Sequence, residues 1–305
     1  MARPIYVIGS SNTDMVVKTE KLPMPGETVI GGTFFMNPGG KGANQAVAAA
    51  RLGGQVTFIA RVGADLFGSQ ALQQFQNENI DTRFVTQDAN HPSGVALIGV
   101  DRQGENTIIV APGSNSQLSV KDVEHAFKLI EEKALILIQL EIPQETVDFA
   151  ILRGKEKNCD VILNPAPVRP VDAVSLQRLF MITPNELEAE LLTGIRITDT
   201  ITSEQAALAL HRWGVPNVII TLGSKGAYVH TASMARLIPA PQVAAVDTTA
   251  GGDCFNGALA VALAEGMKID EAADFACKAA SMSVTRMGAQ SSMPYRKELN
   301  VQPGT

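Results

Sequence analysis

The chain has 305 residues, 45% hydrophobic and 18% charged, a composition that suits a folded globular protein and excludes a disordered one. A net charge of −6 with one Trp and three Tyr offers neither a basic footprint nor a stacking platform, so no nucleic-acid partner and no anionic-membrane partner is expected. Three scattered Cys, four isolated His and no apolar run near ~18 residues argue against a disulfide framework, a zinc site and a membrane span, and suit a reducing cytoplasm.

Ile5 to Gly9 reads as a first strand. Residues 14–36 are β-prone but broken by Pro23, Pro25 and Gly26. A glycine-rich turn, Gly39-Gly40-Lys41-Gly42-Ala43-Asn44, then runs into an Ala-rich helix over 42–52. Strands are predicted at 56–62, 134–140, 160–164, 179–183 and 217–222. Each is short, rich in Val, Ile and Leu, and lacks polar alternation, as strands buried on both faces do. Helices are predicted between them at 68–79, 119–132, 143–158, 185–193 and 203–213. Ser119 and Asp122 have capping-box spacing, and Gly53, Gly194 and Gly214 stand where helices end. Residues 94–111 read as a hairpin turning at Asp101 to Gly104. Two longer helices, 252–265 and 269–287, close the chain.

Alternating strands and helices predict an α/β fold: a doubly wound, mostly parallel central sheet flanked by helices, in a single domain over 1–305. The segments 14–36 and 94–111 do not fit a parallel sheet and are expected to form a small β-sheet lid over one end.

Four stretches carry chemistry. In the first, small residues from Gly39 to Gly42 let backbone approach a ligand, Lys41 adds a charged donor, and Asn44 can donate and accept. It is not a Walker loop, because Phe35 stands where the first Gly belongs. The plain alternative is a tight strand–helix turn. In the second, Asp247 to Gly257, the sequence Ala250-Gly251-Gly252 opens an apolar helix and leaves amides uncovered at its positive end. Asp253 beside them is either an ordinary first-turn acid or a base taking a proton from a substrate hydroxyl. The third, Thr183-Pro184-Asn185-Glu186-Leu187-Glu188, is explained by helix capping alone, or places Asn185 and Glu188 near a hydrated Mg²⁺. The fourth, Thr221-Leu222-Gly223-Ser224-Lys225-Gly226, is a β-turn or one wall of a nucleotide site.

Taken together, the first and second stretches resemble the two signatures of the PfkB family of carbohydrate kinases, in the right order and about two hundred residues apart, with the likeness covering essentially the whole chain. The resemblance implies transfer of the ATP γ-phosphoryl group to a sugar hydroxyl, the O5 of D-ribose, to give ribose 5-phosphate and ADP. It implies Asp253 as catalytic base and an anion hole from Ala250, Gly251, Gly252 and Asp253. Asn12, Asp14, Gly40, Lys41, Gly42, Asn44 and Glu141 would hold the sugar. Asn185, Thr221, Gly223, Ser224, Lys225, Gly226, Gly252 and Cys277 would contact ATP. Asn185 and Glu188 would serve Mg²⁺ through water. Asp247, Thr249, Ser283, Arg286, Gly288 and Ser292 would hold K⁺, largely through carbonyls. Two lids would clasp in a homodimer. Other readings are a kinase of the same family for deoxyribose, fructose, a keto-sugar acid or adenosine, and a non-catalytic sugar- or nucleotide-binding regulator. The family's common Gly-Ala-Gly-Asp is here Ala250 to Asp253, with every position still small.

Overall fold

The computed structural model describes residues 2–299. Its main sheet has nine strands. Six run parallel through the centre: β1 (Ile5–Ile8), β4 (Val56–Gly63), β8 (Leu135–Ile138), β9 (Asp160–Leu163), β10 (Met181–Ile182) and β11 (Asn217–Thr221). The spatial order across the centre is β11-β10-β9-β8-β1-β4. A seventh parallel strand, β5 (Asp81–Asp88), forms one edge. β12 (Ala227–Thr231) and β13 (Met234–Ile238) finish the other edge as an antiparallel hairpin.

Alternate residues of each central strand feed two separate cores. Ile5, Val7, Phe58, Leu135 and Leu137 pack against α1 (Lys41–Arg51), α8 (Gly251–Ala264) and α9 (Ile269–Ser283). Ile8, Ile59, Ile136 and Ile138 face α3 (Val120–Phe127), α4 (Gln144–Glu156) and α7 (Thr200–Arg212). Both faces are therefore covered, which is why these strands show no polar alternation. The doubly wound α/β expectation holds. Among the described residues no helix is long and apolar enough to cross a membrane.

The lid is a separate four-stranded sheet in the order β3-β2-β6-β7. β2 spans Asn12–Lys18, β3 Thr33–Gly39, β6 Gly94–Val100 and β7 Asn106–Ala111. The predicted 94–111 hairpin is present. The first lid segment differs in two ways. Its strands begin at Asn12 and end at Gly39, so the lid grows directly out of β1 and into the glycine-rich turn. β2 also pairs with β6 in parallel, so the lid is mixed where parallel pairing was not expected.

Two close approaches position the site. The backbone of Gly40 has φ 88°, and a Cβ there would lie 2.7 Å from the Asn12 nitrogen. The start of α1 can therefore sit against the chain as it enters the lid. A Cβ on Gly257 would lie 2.7 Å from both the Ala48 Cβ and the Gln45 carbonyl oxygen. This glycine, one turn beyond Asp253, lets α8 press against α1.

Candidate active site

The site lies beyond the carboxyl ends of the parallel strands, where open α/β sheets bind ligands. β1 leads to Ser10 and Asn12, β8 to Gln139 and Glu141, β9 to Asn164, β10 to Thr183 and β11 to Thr221. The start of α8 faces these strand ends.

Asp253 stands in the first turn of α8 and is only 6% exposed. Its two oxygens are divided between neighbours on α1. Asn44 donates to Oδ2 at 2.9 Å, and Gln45 donates to Oδ1 at 2.9 Å. No side chain caps α8. Ala250 takes the left-handed conformation with φ 57°, an arrangement that costs a non-glycine residue on the order of 1 kcal/mol. Of the four amides expected in the anion hole, that of Gly251 makes a 3.2 Å turn bond to the Thr248 carbonyl. Gly252 and Asp253 line the cleft beside Lys41 and Glu188, with the helix dipole behind them. Ala250 and Gly251 line the same cleft, so the nest expected there spans Ala250 to Asp253.

Lys41 stands in the same cleft. Its ammonium is pushed above its ordinary value, chiefly by Asp253, with burial opposing and Glu141, Glu188 and Asp14 assisting. It remains charged at any working pH. Its backbone N–H donates to Glu141 Oε2 at 3.0 Å, and Ser10 donates to the same oxygen at 2.5 Å. Asn12 and Glu141 share an adjoining cleft with Asn115 and Val110. Asn115 Nδ2 donates to Asn12 Oδ1 at 2.7 Å, so the Asn12 amide turns its own N–H₂ group away from Asn115. The side-chain oxygen of Asn44 is buried and has no partner among the described residues. A substrate hydroxyl would satisfy it.

Asp14, on β2, has its carboxyl pushed up to about 6 by burial, with Glu141 and Asp253 adding to the shift and Lys41 opposing it. The folded protein thus holds a proton on Asp14 at pH values where the unfolded chain has lost it. Its contribution falls as pH rises from about 4 to about 6, and the ionised group burdens the fold near neutrality. Asp14→Asn is expected to raise the urea midpoint near pH 7 and to change it far less near pH 4. An unchanged midpoint near pH 7 would show that the carboxylate carries no such burden.

The cleft on the other side of Gly252 is lined by Thr221, Gly223, Ser224, Gly226, Phe255 and Cys277. Thr221, Gly251 and Gly252 also line the Lys41 cleft, so the two spaces meet at the start of α8. Two expected nucleotide contacts lie elsewhere. Lys225 does not line this cleft, and its ammonium is 3.9 Å from Glu186. Asn185 lies on the Lys41 side and caps α6 (Glu186–Thr193). Its Oδ1 accepts from the Glu188 N–H at 2.8 Å, and Glu188 Oε2 accepts from the Asn185 N–H at 2.9 Å. The capping reading of this stretch is therefore correct, and Glu188 still faces the cleft. Burial, the largest influence, pushes the Glu188 carboxyl up. Burial also pushes the Cys254 and Cys277 thiols up to about 12, which disfavours the thiolate form of both.

Among the described residues no three His, Cys, Asp or Glu side chains are grouped so as to hold a metal ion by themselves. A divalent ion here would rest on phosphate oxygens and water, as Mg²⁺ commonly does. Asp247 lies where the chain meets the end of α9. The Val246 and Asp247 amides both donate to the Val284 carbonyl, at 2.8 and 3.1 Å. Thr249 N donates to Asp247 Oδ1 at 2.9 Å and Gly288 N to Oδ2 at 2.8 Å. Burial pushes this carboxyl up, but these bonds outweigh it and leave it below its ordinary value. The Arg286 guanidinium is engaged by Glu298 at 2.6 Å, so only its backbone is available to a cation. Ser283 and Ser292 are fully buried, and their hydroxyls donate to the Ala280 and Ala289 carbonyls. An ionised carboxylate joined by backbone carbonyl oxygens is a donor set that fits a hard cation.

The pfkB family carbohydrate kinase model matches residues 2–296. The chain belongs to that family. This kinase is 42% identical to the ribokinase of Haemophilus influenzae, over 98% of this chain and 97% of that one. It is 37% identical to a deoxyribokinase of Salmonella typhi, over 97% of each chain. The structure of Arabidopsis thaliana ribokinase complexed with ribose and ATP superposes with a TM-score of 0.88 at 34% identity, over 98% of both chains. The kinase is thus a carbohydrate phosphotransferase on the expected fold.

Several polar residues of the site carry no assigned role in the sequence reading: Ser10, Gln45, Asn115, Gln139, Asn164, Thr183 and Asn256. All are buried. Thr183 and Asn256 lie within stretches singled out there, and Gln45 directly follows one. Their polarity inside apolar elements was the available signal.

Proposed function

We propose that this kinase transfers the γ-phosphoryl group of ATP to O5 of D-ribose, with Asp253 as the base. The observation that carries the reading is the placement of Asp253: a buried carboxylate at the amide-bearing start of α8, where the two clefts meet. ATP would lie along Thr221 to Gly226 and Cys277, with its terminal phosphate at the Gly252 and Asp253 amides. The sugar would lie among Asn12, Asp14, Lys41, Asn44 and Glu141. Asp253 would accept the proton of the attacking hydroxyl, while the amides and Lys41 balance charge on the transferred group. Mg²⁺, carried on the phosphates and met through water by Glu188 and Asn185, would supply further charge neutralisation. K⁺ held by Asp247 and nearby carbonyls would add a fixed positive field beside the anion hole.

Ribose is favoured over 2-deoxyribose by the arrangement of Asn12. With its oxygen taken by Asn115, its N–H₂ group needs an acceptor, which a sugar hydroxyl supplies. A site built around a hydroxyl rejects an analogue lacking it by up to ~10⁴–10⁵. The deoxyribokinase likeness makes 2-deoxyribose the second reading. ATP turnover with ribose, 2-deoxyribose, fructose and adenosine, with and without K⁺, tests it. Fastest turnover on ribose, raised by K⁺, is the expected result. Preference for another sugar would keep Asp253 and overturn the role of Asn12. Binding without turnover on every sugar would favour a non-catalytic regulator.

A homodimer through the lid is supported by one face of that sheet. Phe34, Met36, Leu97 and Ile109 are 58%, 49%, 52% and 68% exposed, and strand register puts them on the side opposite Asp14. A contiguous apolar face of this kind marks an interaction surface. A monomer in analytical ultracentrifugation would remove this part of the proposal.

A further inference from the structure

Asp253 does not stand alone behind the site. Gln45 Nε2 donates to Asp253 Oδ1 and to Asn164 Oδ1, each at 2.9 Å, which uses both of its hydrogens. Gln139 Nε2 donates to Gln45 Oε1 at 2.6 Å. The chain continues away from the base. Asn164 Nδ2 donates to the Thr183 carbonyl at 3.1 Å, and Thr183 Oγ1 donates to Asn256 Oδ1 at 2.6 Å. Asn256 Nδ2 donates to the Gly252 carbonyl at 2.8 Å. That carbonyl and the Asp253 N–H belong to one planar peptide unit, so holding one aims the other.

The Asp253 carboxylate only accepts and so draws the Gln45 N–H₂ group, and Gln139 supports that orientation by donating to Gln45 Oε1. An amide side chain can turn over, presenting oxygen where it presented N–H. If Gln45 turned over, its oxygen would face the Asp253 carboxylate and its N–H₂ group would face that of Gln139. Both contacts would be repulsive. Gln139 and Gln45 are each fully buried, so bulk solvent does not reach either amide. The Gln139 side-chain oxygen has no partner among the described residues. A Cβ on Gly9 would lie 2.2 Å from it. Gly9 therefore leaves room for a glutamine whose only bonded side-chain atom is the one that donates to Gln45.

We propose that Gln45, its orientation supported by Gln139, is a positioning residue for the Asp253 base, and that neither glutamine touches substrate. The proposal rests on Asp253 being the base of the kinase. Gln45 holds one carboxylate oxygen, Asn44 holds the other, and the plane of the carboxylate is thereby set toward the space between the clefts.

The test uses the intact enzyme and two nearly isosteric variants, Gln139→Leu and Gln45→Met. Wild-type turnover with ATP and its best sugar is measured first. Gln45→Met is expected to lower kcat about ten- to a hundredfold, the range of a hydrogen bond to a charged group, and Gln139→Leu, which removes a bond between neutral amides, about two- to tenfold. KM for sugar and for ATP is expected to stay within about twofold, since no binding contact is removed. In Gln45→Met the acidic limb of the pH–kcat profile is expected to move to higher pH, because a carboxylate that loses an N–H donor holds its proton more tightly. The charged groups facing Asp253 are Lys41, Asp14 and Glu188, and neither variant alters them. If Gln45→Met does not fold, Gln139→Leu still reads the kcat and KM split. Wild-type kcat in both variants would overturn the proposal. So would a loss of kcat that tracks a lowered melting temperature while the limb stays in place. Absence of sugar-dependent turnover in the wild type would instead overturn the kinase reading itself, and the positioning role with it.

Discussion

Asp253→Ala is expected to lower kcat about 10²–10⁴-fold, the usual worth of a positioned base. The loss should fall on kcat more than on sugar KM, because a base acts as the hydroxyl proton leaves and the other sugar contacts remain. Four other ionisable groups stand close enough to be alternatives, and each is less suited; Glu188, the first, already has its Oε2 held by the Asn185 N–H at 2.9 Å. Lys41 stays protonated, held so first by Asp253 itself, and cannot accept a proton. Glu141 Oε2 already accepts from Ser10 and from the Lys41 amide. Asp14, with its carboxyl near 6, could accept a proton, but it lies on a lid strand rather than at the amide-bearing start of α8.

The alanine variant also leaves the Asn44 and Gln45 N–H groups without an acceptor, at a cost of about 1–3 kcal/mol of stability each. Asp253→Asn separates the two effects. It keeps the shape and one acceptor oxygen but cannot take the proton. A comparable loss in both variants, with the asparagine variant folded, identifies the base. A loss under tenfold with the fold intact would move the base to another residue, with Asp14 first in line.

The central architecture was legible because its signals are local. A run such as Leu135 to Ile138 is buried on both faces, and its composition alone reports that. The capping box at Ser119 and Asp122 and the left-handed glycines at 53, 194 and 214 are likewise short-range chemistry, and all are present. What escaped notice has weaker local marks. β5 carries Asp, Thr, Arg and Gln and buries only Phe84 and Asp88, as an edge strand can. The β12–β13 hairpin is short, and Arg236 and Leu237 on its outer strand face solvent. α9 was expected to reach 287 but ends at Ser283. The Val284 carbonyl there is taken by the Val246 and Asp247 amides, a contact no helical pattern announces. α3 was expected to reach 132 and ends at Phe127, with Lys133 left-handed before β8. α7 begins at Thr200, earlier than expected, because Asp199 and Thr202 cap it.

The site divides along the same line. Asp253, Lys41 and Asn44 were legible because each belongs to a compact stretch of small and polar residues. Gln45 directly follows Asn44 and looked like part of the Ala-rich helix. Its meaning lies in Asp253, Asn164 and Gln139, which are 208, 119 and 94 residues away. Asn115 has the same character, since it orients Asn12 from across 103 residues. Partners at such separations are brought together by packing, here the close approach of α1 and α8 at Gly257.

The largest expected effect on stability lies at the far end of α1. Arg51→Leu is expected to cost about 3–5 kcal/mol, the range for removing one member of a buried ion pair. The Arg51 and Glu78 side chains are 10% and 11% exposed and meet in a two-point contact, Nε to Oε2 at 3.0 Å and Nη2 to Oε1 at 2.6 Å. Removing the arginine leaves the Glu78 carboxylate buried without a counter-charge. It also releases the loop after α9. Arg51 Nη1 donates to the Gln290 and Met293 carbonyls at 2.7 and 2.9 Å, and its guanidinium lies 4.9 Å from the centre of the Tyr295 ring. Urea unfolding of Arg51→Leu, Glu78→Leu and the double variant separates the contributions. The double variant is expected to recover part of the loss, because it removes the stranded charge, but not the part due to the two carbonyls. A single-variant cost below about 1 kcal/mol, the range of a surface pair, would show that the pair is effectively solvated. The loop that Arg51 ties down holds Ser292 and follows Gly288, whose amide binds Asp247. The expected K⁺ activation should therefore weaken in Arg51→Leu at temperatures where the variant is still folded. Undiminished activation there would show that the Asp247–Gly288 contact alone sets the cation loop.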